Sequence, residues 1–386
     1  MSQAPALAAD VVVIGAGPAG AVAALNLAPF LRVLVVDRGG EPAARIGENL
    51  PAAASRLLRD MGLYEAFVAQ AHAPCQSMRS TWGGPQVHET DAIRNLDGAG
   101  WHLDRRRFDA WLREVARARG AAIVDGTTVQ GIERGDGADD AGAPWRLALL
   151  RDGRPLVAEA RFVIDASGRR ALLGRRLGGG RASRDRLVCG WVFGSDARPE
   201  ERESEGDATE LHAESAGWWY TASLPAGGRV LAFYTDADLP EAGSAHSRDA
   251  LLARAASVPD LARHLAGRGF RADGDYGFCA AHTATQDAMT GPGWLAVGDA
   301  ALAFDPLSSQ GLFNALYTGL AGADAVYRLG VEGDTAAFDG YRRQMERVRD
   351  IYLDKLRAYY RIESRWPDQT FWRRRREAQD GAEIAA

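Results

Sequence analysis

Three stretches of this 386-residue sequence predict an α/β chain of two lobes with a helical C-terminal extension. Asp10 to Asp37 reads as a buried strand, a glycine turn, a helix and a second strand. From about 186 to 285 aromatic and apolar residues alternate in short runs, the pattern of an antiparallel sheet. Beyond 335 the chain is helical in pattern and rich in arginine.

In the first stretch VVVI leads into GAGPAG, an alanine-rich helix follows, and Asp37 stands twenty residues beyond Gly17. That context turns a bare GxGxxG into a dinucleotide-binding fingerprint of Rossmann-like type. Gly15 permits the tight turn, Gly17 lets a pyrophosphate approach the backbone, and Gly20, beside Ala19, lets helix and strand pack closely. The helix start offers free N–H groups to phosphate. Asp37, followed by Arg38, is placed for ribose hydroxyls.

A loop at 45–50 then enters a helix with Leu57, Leu58 and Met61 on one face, and 75–103 is strand-like and irregular. Phe108, Leu112, Val115 and Ala116 recur at helical spacing, so 105–120 is an amphipathic helix ending at Gly120. Short strands follow, with polar hairpin residues at 135–144 and a buried strand from Phe162 to Ile164 that ends in Asp165. The second lobe contains LVCGWVF, GWWYTASLP and RVLAFYT, a charged loop at 196–209 and one helix near 248–267. A strand at 294–297 then leads through a loop into a long helix of small residues. The expected boundaries are 1–80, 101–185 and 286–330 for the nucleotide lobe, 81–100 and 186–285 for the sheet lobe, and 331–386 for the C-terminal helices.

A net charge of -5 and a pI near 5.9 provide no general basic field, so neither nucleic acid nor membrane is an expected partner. No apolar run reaches membrane-spanning length and the N-terminus has no basic leader, which predicts a cytoplasmic protein. Cys75, Cys189 and Cys279 are far apart in sequence, form no CxxC or zinc pattern, and read as small buried hydrophobes; no metal is expected. The only lysine is Lys355.

GAGPAG (15–20), FVIDASG (162–168) and GWLAVGDAALAFDPLSSQG (293–311), together with HLDRRRFDAWL (102–112), resemble the fingerprints of the single-component, aromatic-hydroxylase class of FAD proteins. That class also holds flavin-dependent halogenases and isoprenoid reductases. The resemblance spans most of the first 330 residues and implies an FAD-binding domain of that type, an antiparallel-sheet substrate domain, non-covalent FAD and NAD(P)H as reductant. Arg105 matches the arginine before FDxxL that contacts the flavin or its pyrophosphate, and could equally pair with Asp109. Glu48 and Asn49, in GENLP, match a segment beside FAD; Glu48 could instead pair with Arg45. Asp165 and Gly168 belong to a segment that serves both FAD and NAD(P)H, and Val129 joins the expected FAD contacts. Asp299 can accept hydrogen bonds from ribityl hydroxyls, and Pro306 stiffens the loop against the ring edge. Ser308, Ser309, Gln310 and Gly311 stand at a helix start whose positive end suits negative charge on the reduced ring.

What the resemblance implies chemically is hydroxylation of an electron-rich aromatic ring by molecular oxygen activated on reduced FAD as a C4a-hydroperoxide. Trp191, Phe193, Trp218, Trp219, Tyr220, Phe233 and Tyr234 supply wall rings, about half of which should face away because strand residues alternate. Trp219, Tyr220, Phe233, Ser308 and Ser309 are the expected substrate contacts. GENLPAAA, GDAALAFDPLSSQGLFNALYTG and RWPDQTFWRRRR are most similar to flavoprotein maturases that oxidise a tryptophan of a partner subunit while cysteine tryptophylquinone forms in lysine and glycine oxidases. An aromatic substrate, as a tryptophan of a peptide or protein partner, is therefore expected. The alternatives are a flavin-dependent halogenase, against which the lack of an early lysine counts, an isoprenoid-type FAD reductase, and a flavin-bearing maturation chaperone without turnover. Trp366, Phe371 and Trp372 either cap the pocket, dock a partner, or pack a terminal helix. His88, His102, His212 and His282 are acid–base candidates by residue type alone, so the catalytic group is left unassigned.

Overall fold

The computed structural model describes residues 6–92, 95–135, 144–197 and 208–377. The centres of the expected hairpin tip at 135–144 and charged loop at 196–209 lie outside the described residues.

The nucleotide lobe is built on a six-stranded sheet. Val11–Ile14 is flanked in parallel by Phe162–Asp165 and Val33–Val36; Trp294–Ala296 and Ala122–Val124 extend the sheet in parallel, and Thr290–Gly291 closes one edge antiparallel. Val11, Val12 and Val13 are fully buried because the helix Pro18–Leu27 and the strand Arg154–Ala160, part of a separate four-stranded sheet, both pack against this strand, as a continuous apolar run requires. The helix Pro18–Leu27 has no wide polar face and packs on Gly311–Tyr327, where Gly319 admits close contact: a Cβ there would stand 2.5 Å from the Ala19 carbonyl oxygen.

The amphipathic helix forms as Arg105–Ala118, capped by the Asp104 carboxylate accepting from the Arg107 N–H at 3.1 Å. Phe108, Leu112 and Ala116 face the core at 0% exposure, the stripe read from the sequence.

The second lobe is an eight-stranded, mostly antiparallel sheet. Leu187–Asp196, Gly228–Asp236, Gly217–Ser223 and Ala208–Glu214 run consecutively, Ser77–Ser80 and His88–Asp91 continue it, and Tyr276–Ala280 pairs with Leu187–Asp196. The helix expected near 248–267 is two helices, Arg248–Ser257 and Pro259–Arg268. Pro259 has no N–H to continue the first, and the residue before it, Val258, is pushed to φ -96°, ψ 104°.

The C-terminal segment bridges the lobes: Phe338, Tyr341 and Met345 of the helix Ala337–Ile362 join the core of the nucleotide lobe, while Tyr360 at its end and the helix Thr370–Glu377 pack on the second lobe. Phe371 and Trp372 are buried, the Trp372 indole donates to the Glu214 carbonyl at 2.8 Å, and Arg375 pairs with Asp236 at 2.8 Å beneath the Phe371 ring. Of the three expectations for this stretch, packing of the terminal helix is the one the contacts show.

Candidate active site

A cavity of about 810 Å³ lies between the glycine turn and the inner face of the second sheet, within the range typical of small-molecule sites. Its walls come from segments scattered over 300 positions of sequence, and most of the expected site residues meet there. Gly15, Gly17, Ala19, Asp37, Arg38, Glu48, Asn49, Arg105, Val129, Gly168, Asp299, Pro306 and Gly311 all line it, as do Tyr220 and Ser309.

Six expected residues do not. Gly20 lies behind the wall, where a Cβ would meet the Gly15 carbonyl oxygen at 1.9 Å; its part is the helix–strand contact itself. Asp165 is fully buried, accepting from the Ser167 and Leu173 N–H groups at 3.0 and 2.7 Å, so it holds the shape of the DASG turn from beneath. Gln310 and Ser308 belong to the loop before the last core helix without reaching the wall, and Ser308 is bonded to the Asp305 carbonyl at 2.8 Å. Trp219 and Phe233 require correction as substrate contacts. Their rings touch at 4.7 Å on the outer face of the sheet, packed with Leu251 and Leu261 of the covering helices. The alternation of strand residues puts Trp218 and Tyr220 on the inner face instead, and Trp218 stacks on Tyr234 at 3.9 Å and 10°.

The glycine turn fits a dinucleotide by its own geometry. Gly15 has φ +106°, and a Cβ there would lie 2.4 Å from the Ala166 carbonyl oxygen. No side chain caps the helix at Gly17, whose position is open to the cavity, so the first N–H groups are left for an anion. Asp37 ties the turn together, accepting from the Ala16 N–H at 2.6 Å and the Gly39 N–H at 2.8 Å. The last core helix begins at Gly311, again without a side-chain cap, and faces the same space with Pro306 and Ser309. An extended cofactor with a pyrophosphate at the first helix and a ring system at the second fits these donors.

Two ion pairs were undecided in the sequence. Arg105 does pair with Asp109, at 3.2 Å, while still lining the cavity and donating to the Gly47 carbonyl at 2.7 Å. Arg45 also pairs with Asp109, leaving Glu48 to a different partner. The Glu48 Oε2 accepts from the Gly47 N–H at 3.1 Å and from the Tyr220 hydroxyl at 3.3 Å, joining the two lobes across the cavity wall. Burial lifts this carboxyl above the usual carboxylate range. Oε2 accepts twice, while Oε1 is buried without a partner. A Tyr220→Phe variant should lose about 1–3 kcal/mol, the cost of stripping one partner from a buried polar group; a urea midpoint equal to wild type would contradict that bond.

Several wall residues escaped the sequence reading. Arg113 donates to the Ala16 carbonyl at 2.9 Å and the Gly40 carbonyl at 2.7 Å, bracing both sides of the glycine turn. Arg105, Asp109 and Arg113 follow one another at helical spacing of four, a signal that was present beside the apolar stripe. Arg169 donates to the Phe304 carbonyl at 3.0 Å and stands 3.6 Å from the Asp299 carboxylate. Cys189 and Cys279, distant in sequence, are direct cross-strand partners in the wall. None of His88, His102, His212 and His282 lines the cavity. His102 is buried against Thr209 at 2.8 Å and His212 lies beside Glu210 at 3.4 Å, both away from the cavity.

Beneath the Pro306 loop, Asp305 accepts from the Leu307 N–H at 2.9 Å and the Tyr360 hydroxyl at 2.7 Å. Burial, and then the charge of Asp185, pushes its carboxyl up to about 7 from an ordinary 3.8. The folded chain therefore holds this proton more tightly than the unfolded chain. Its contribution to stability is complete below 3.8 and is lost as pH climbs towards about 7. Asp305→Asn, which cannot ionise, should flatten that part of the urea-stability profile; parallel profiles for variant and wild type would refute it.

Fold and cavity together define a flavin-dependent oxidoreductase of the halogenase and monooxygenase class. The sequence model of the tryptophan halogenase family matches residues 85–386, and the chain belongs to that family. It is 29% identical over 376 residues to a protein of Marinomonas mediterranea described as the FAD-dependent oxidoreductase LodB, covering 95% of this chain and 96% of the other. It is 27% identical over 373 residues to the sulochrin halogenase gedL of Aspergillus terreus, covering 89% and 67%. Among solved structures it resembles the peptidyl tryptophan dihydroxylase QhpG, essential for tryptophylquinone cofactor biogenesis, with a TM-score of 0.72, 26% identity and coverage of 98% and 80%. Among the described residues no helix is long and apolar enough to cross a membrane. No group of His, Cys, Asp and Glu among them could hold a metal ion.

Proposed function

We propose that this chain hydroxylates an electron-rich aromatic ring, a tryptophan side chain of a peptide or protein partner, with FAD, molecular oxygen and a reduced nicotinamide as the ultimate electron donor. The observation that carries the reading is the inner wall: Trp218 stacked on Tyr234, Tyr220 hydrogen-bonded to Glu48, and Trp191, all facing the loop and helix start at Pro306 and Gly311. Bound FAD would supply the centre that activates oxygen.

The chain's own residues do the rest. Gly15, Gly17, Ala19, Asp37, Arg38, Asn49 and Arg105 would hold the nucleotide, with Val129, Gly168 and Asp299 along its length and Pro306, Ser309 and Gly311 at the ring. Rings on the wall exclude water and give an indole flat surfaces to lie against. The Glu48 carboxyl, which burial lifts above the usual carboxylate range, is the acid–base group of that wall and fills the role the histidines leave open. Similarity to QhpG over 98% of this chain, a protein described as a peptidyl tryptophan dihydroxylase, supports a peptide or protein as the carrier of the ring.

Halogen transfer to the same ring is the second reading. The family match and the similarity to gedL favour it, and the absence of an early lysine does not remove it.

The deciding experiment reduces the FAD-loaded protein without oxygen, adds a tryptophan-containing peptide, and then admits oxygen with and without chloride or bromide. Oxygen atoms gained by the peptide irrespective of halide support hydroxylation. A halide-dependent mass gain selects the second reading, and oxygen consumption with no change in any aromatic substrate would refute both.

A further inference from the structure

The strands Leu187–Asp196 and Tyr276–Ala280 pair antiparallel with Cys189 directly opposite Cys279. Residues opposed in this way have Cα atoms about 4.5–5.5 Å apart, and a disulfide needs about 4.4–6.8 Å. Both side chains point to the same face and both line the cavity, yet both are free thiols. We infer that Cys189 and Cys279 form an oxidation site in the cavity wall, where hydrogen peroxide converts the two thiols into a cross-strand disulfide.

The two members are not equivalent. Cys189 is fully buried, whereas Cys279 is partly exposed. The neighbouring Cys189 thiol, the positive charge of the Arg169 guanidinium and the Trp191 indole together hold the Cys279 thiol below its ordinary value against the opposing effect of burial. Burial holds Cys189 well above it. A partly exposed sulfur in positive surroundings is the reactive type. Cys279 is therefore the attacking residue and Cys189 the resolving one.

The chemistry balances in two steps. The Cys279 thiolate attacks one oxygen of hydrogen peroxide, the O–O bond breaks, and the released hydroxide takes a proton to leave as water. Cys189 sulfur then attacks the sulfenic sulfur, the S–S bond forms, the S–O bond breaks, and the departing hydroxide takes the Cys189 proton as a second water. Two thiols are oxidised and one peroxide is reduced. Peroxide is the by-product expected when oxygen is reduced in this cavity without reaching the aromatic ring. The inference leans on the proposed function only for that source, and supplying peroxide from outside lets either idea fail alone.

The test exposes the full-length protein to hydrogen peroxide, alkylates it in denaturant, and maps peptides without reduction. Cys189 and Cys279 should lose alkylation together, appear joined in one peptide pair, and recover on adding dithiothreitol, while Cys75 stays fully alkylated. Cys75→Ser should change none of this, and Cys189→Ser should leave Cys279 as a sulfenic acid that dimedone traps. Should Cys189→Ser fail to fold, mapping of the wild type decides by itself. The inference is overturned if both cysteines remain alkylated, if Cys279 oxidises while Cys189 stays free, or if the cross-link runs to Cys75 or to a second copy.

Discussion

Gly15→Ala should leave a protein that folds poorly and binds FAD at least tenfold more weakly. The backbone at this residue has φ +106°, and the new Cβ would stand 2.4 Å from the Ala166 carbonyl oxygen, far inside contact distance. Strain in so sparsely populated a conformation costs about 1–3 kcal/mol by itself. Relief of the overlap must also part the Val11–Ile14 and Phe162–Asp165 strands, which pair in register at the centre of the sheet. A loss of ~1.4 kcal/mol in binding is a factor of ten. Fluorescence titration of the apoprotein with FAD measures the affinity and urea unfolding the stability. A Gly17→Ala variant separates binding from folding: a Cβ there meets only the tip of the Arg45 side chain at 4.0 Å, so stability should stay near wild type, while the methyl group enters the space the pyrophosphate needs and should weaken FAD binding. Wild-type affinity in Gly15→Ala would mean that the turn is not where the pyrophosphate lies.

Arg229→Met should cost about 3–5 kcal/mol of stability, the usual result of stripping one partner from a buried ion pair. Arg229 is 1% exposed and its Nε lies 2.9 Å from the equally buried Asp196 carboxylate; its other nitrogens reach the Thr221 and Ser223 hydroxyls, each at 3.1 Å. The substitution leaves Asp196 charged and without its main partner in the middle of the second lobe. It also frees the strand Gly217–Ser223, which presents Trp218 and Tyr220 to the cavity, so substrate turnover should fall with stability. A double variant, Arg229→Met with Asp196→Leu, removes the stranded charge and should regain most of the loss, since apolar replacement of a whole buried pair is often neutral. Equal urea midpoints for single and double variants would show that the charge is not the source of the effect.

The parts of the site that were legible in the sequence are those fixed within one short segment. VVVI, GAGPAG and Asp37 lie in a single strand–turn–helix–strand unit, and the structure places Gly15, Gly17 and Asp37 at one end of the cavity. DPLSSQG is a second such unit. Asp165 shows the limit of this kind of reading. Its residue type and place after a buried strand suit a ligand contact, yet two local N–H groups take the carboxylate below the wall.

Trp219 and Phe233 failed for a different reason. Both neighbours of each in sequence are equally apolar, so period-two alternation fixed that one set faces inward without saying which. The helices Arg248–Ser257 and Pro259–Arg268 settled the choice by covering the face that carries Trp219.

The sequence by itself determined the dinucleotide turn and the Pro306 loop, because backbone sterics and helix-end charge act over a few residues, and its motifs carried the family resemblance that implied FAD. Only the tertiary structure decided which rings face the cavity, that Glu48 meets Tyr220 instead of Arg45, and that Cys189 meets Cys279. Those pairings depend on strand register and on which face the neighbouring layer buries, and both are settled by packing between segments far apart in the chain.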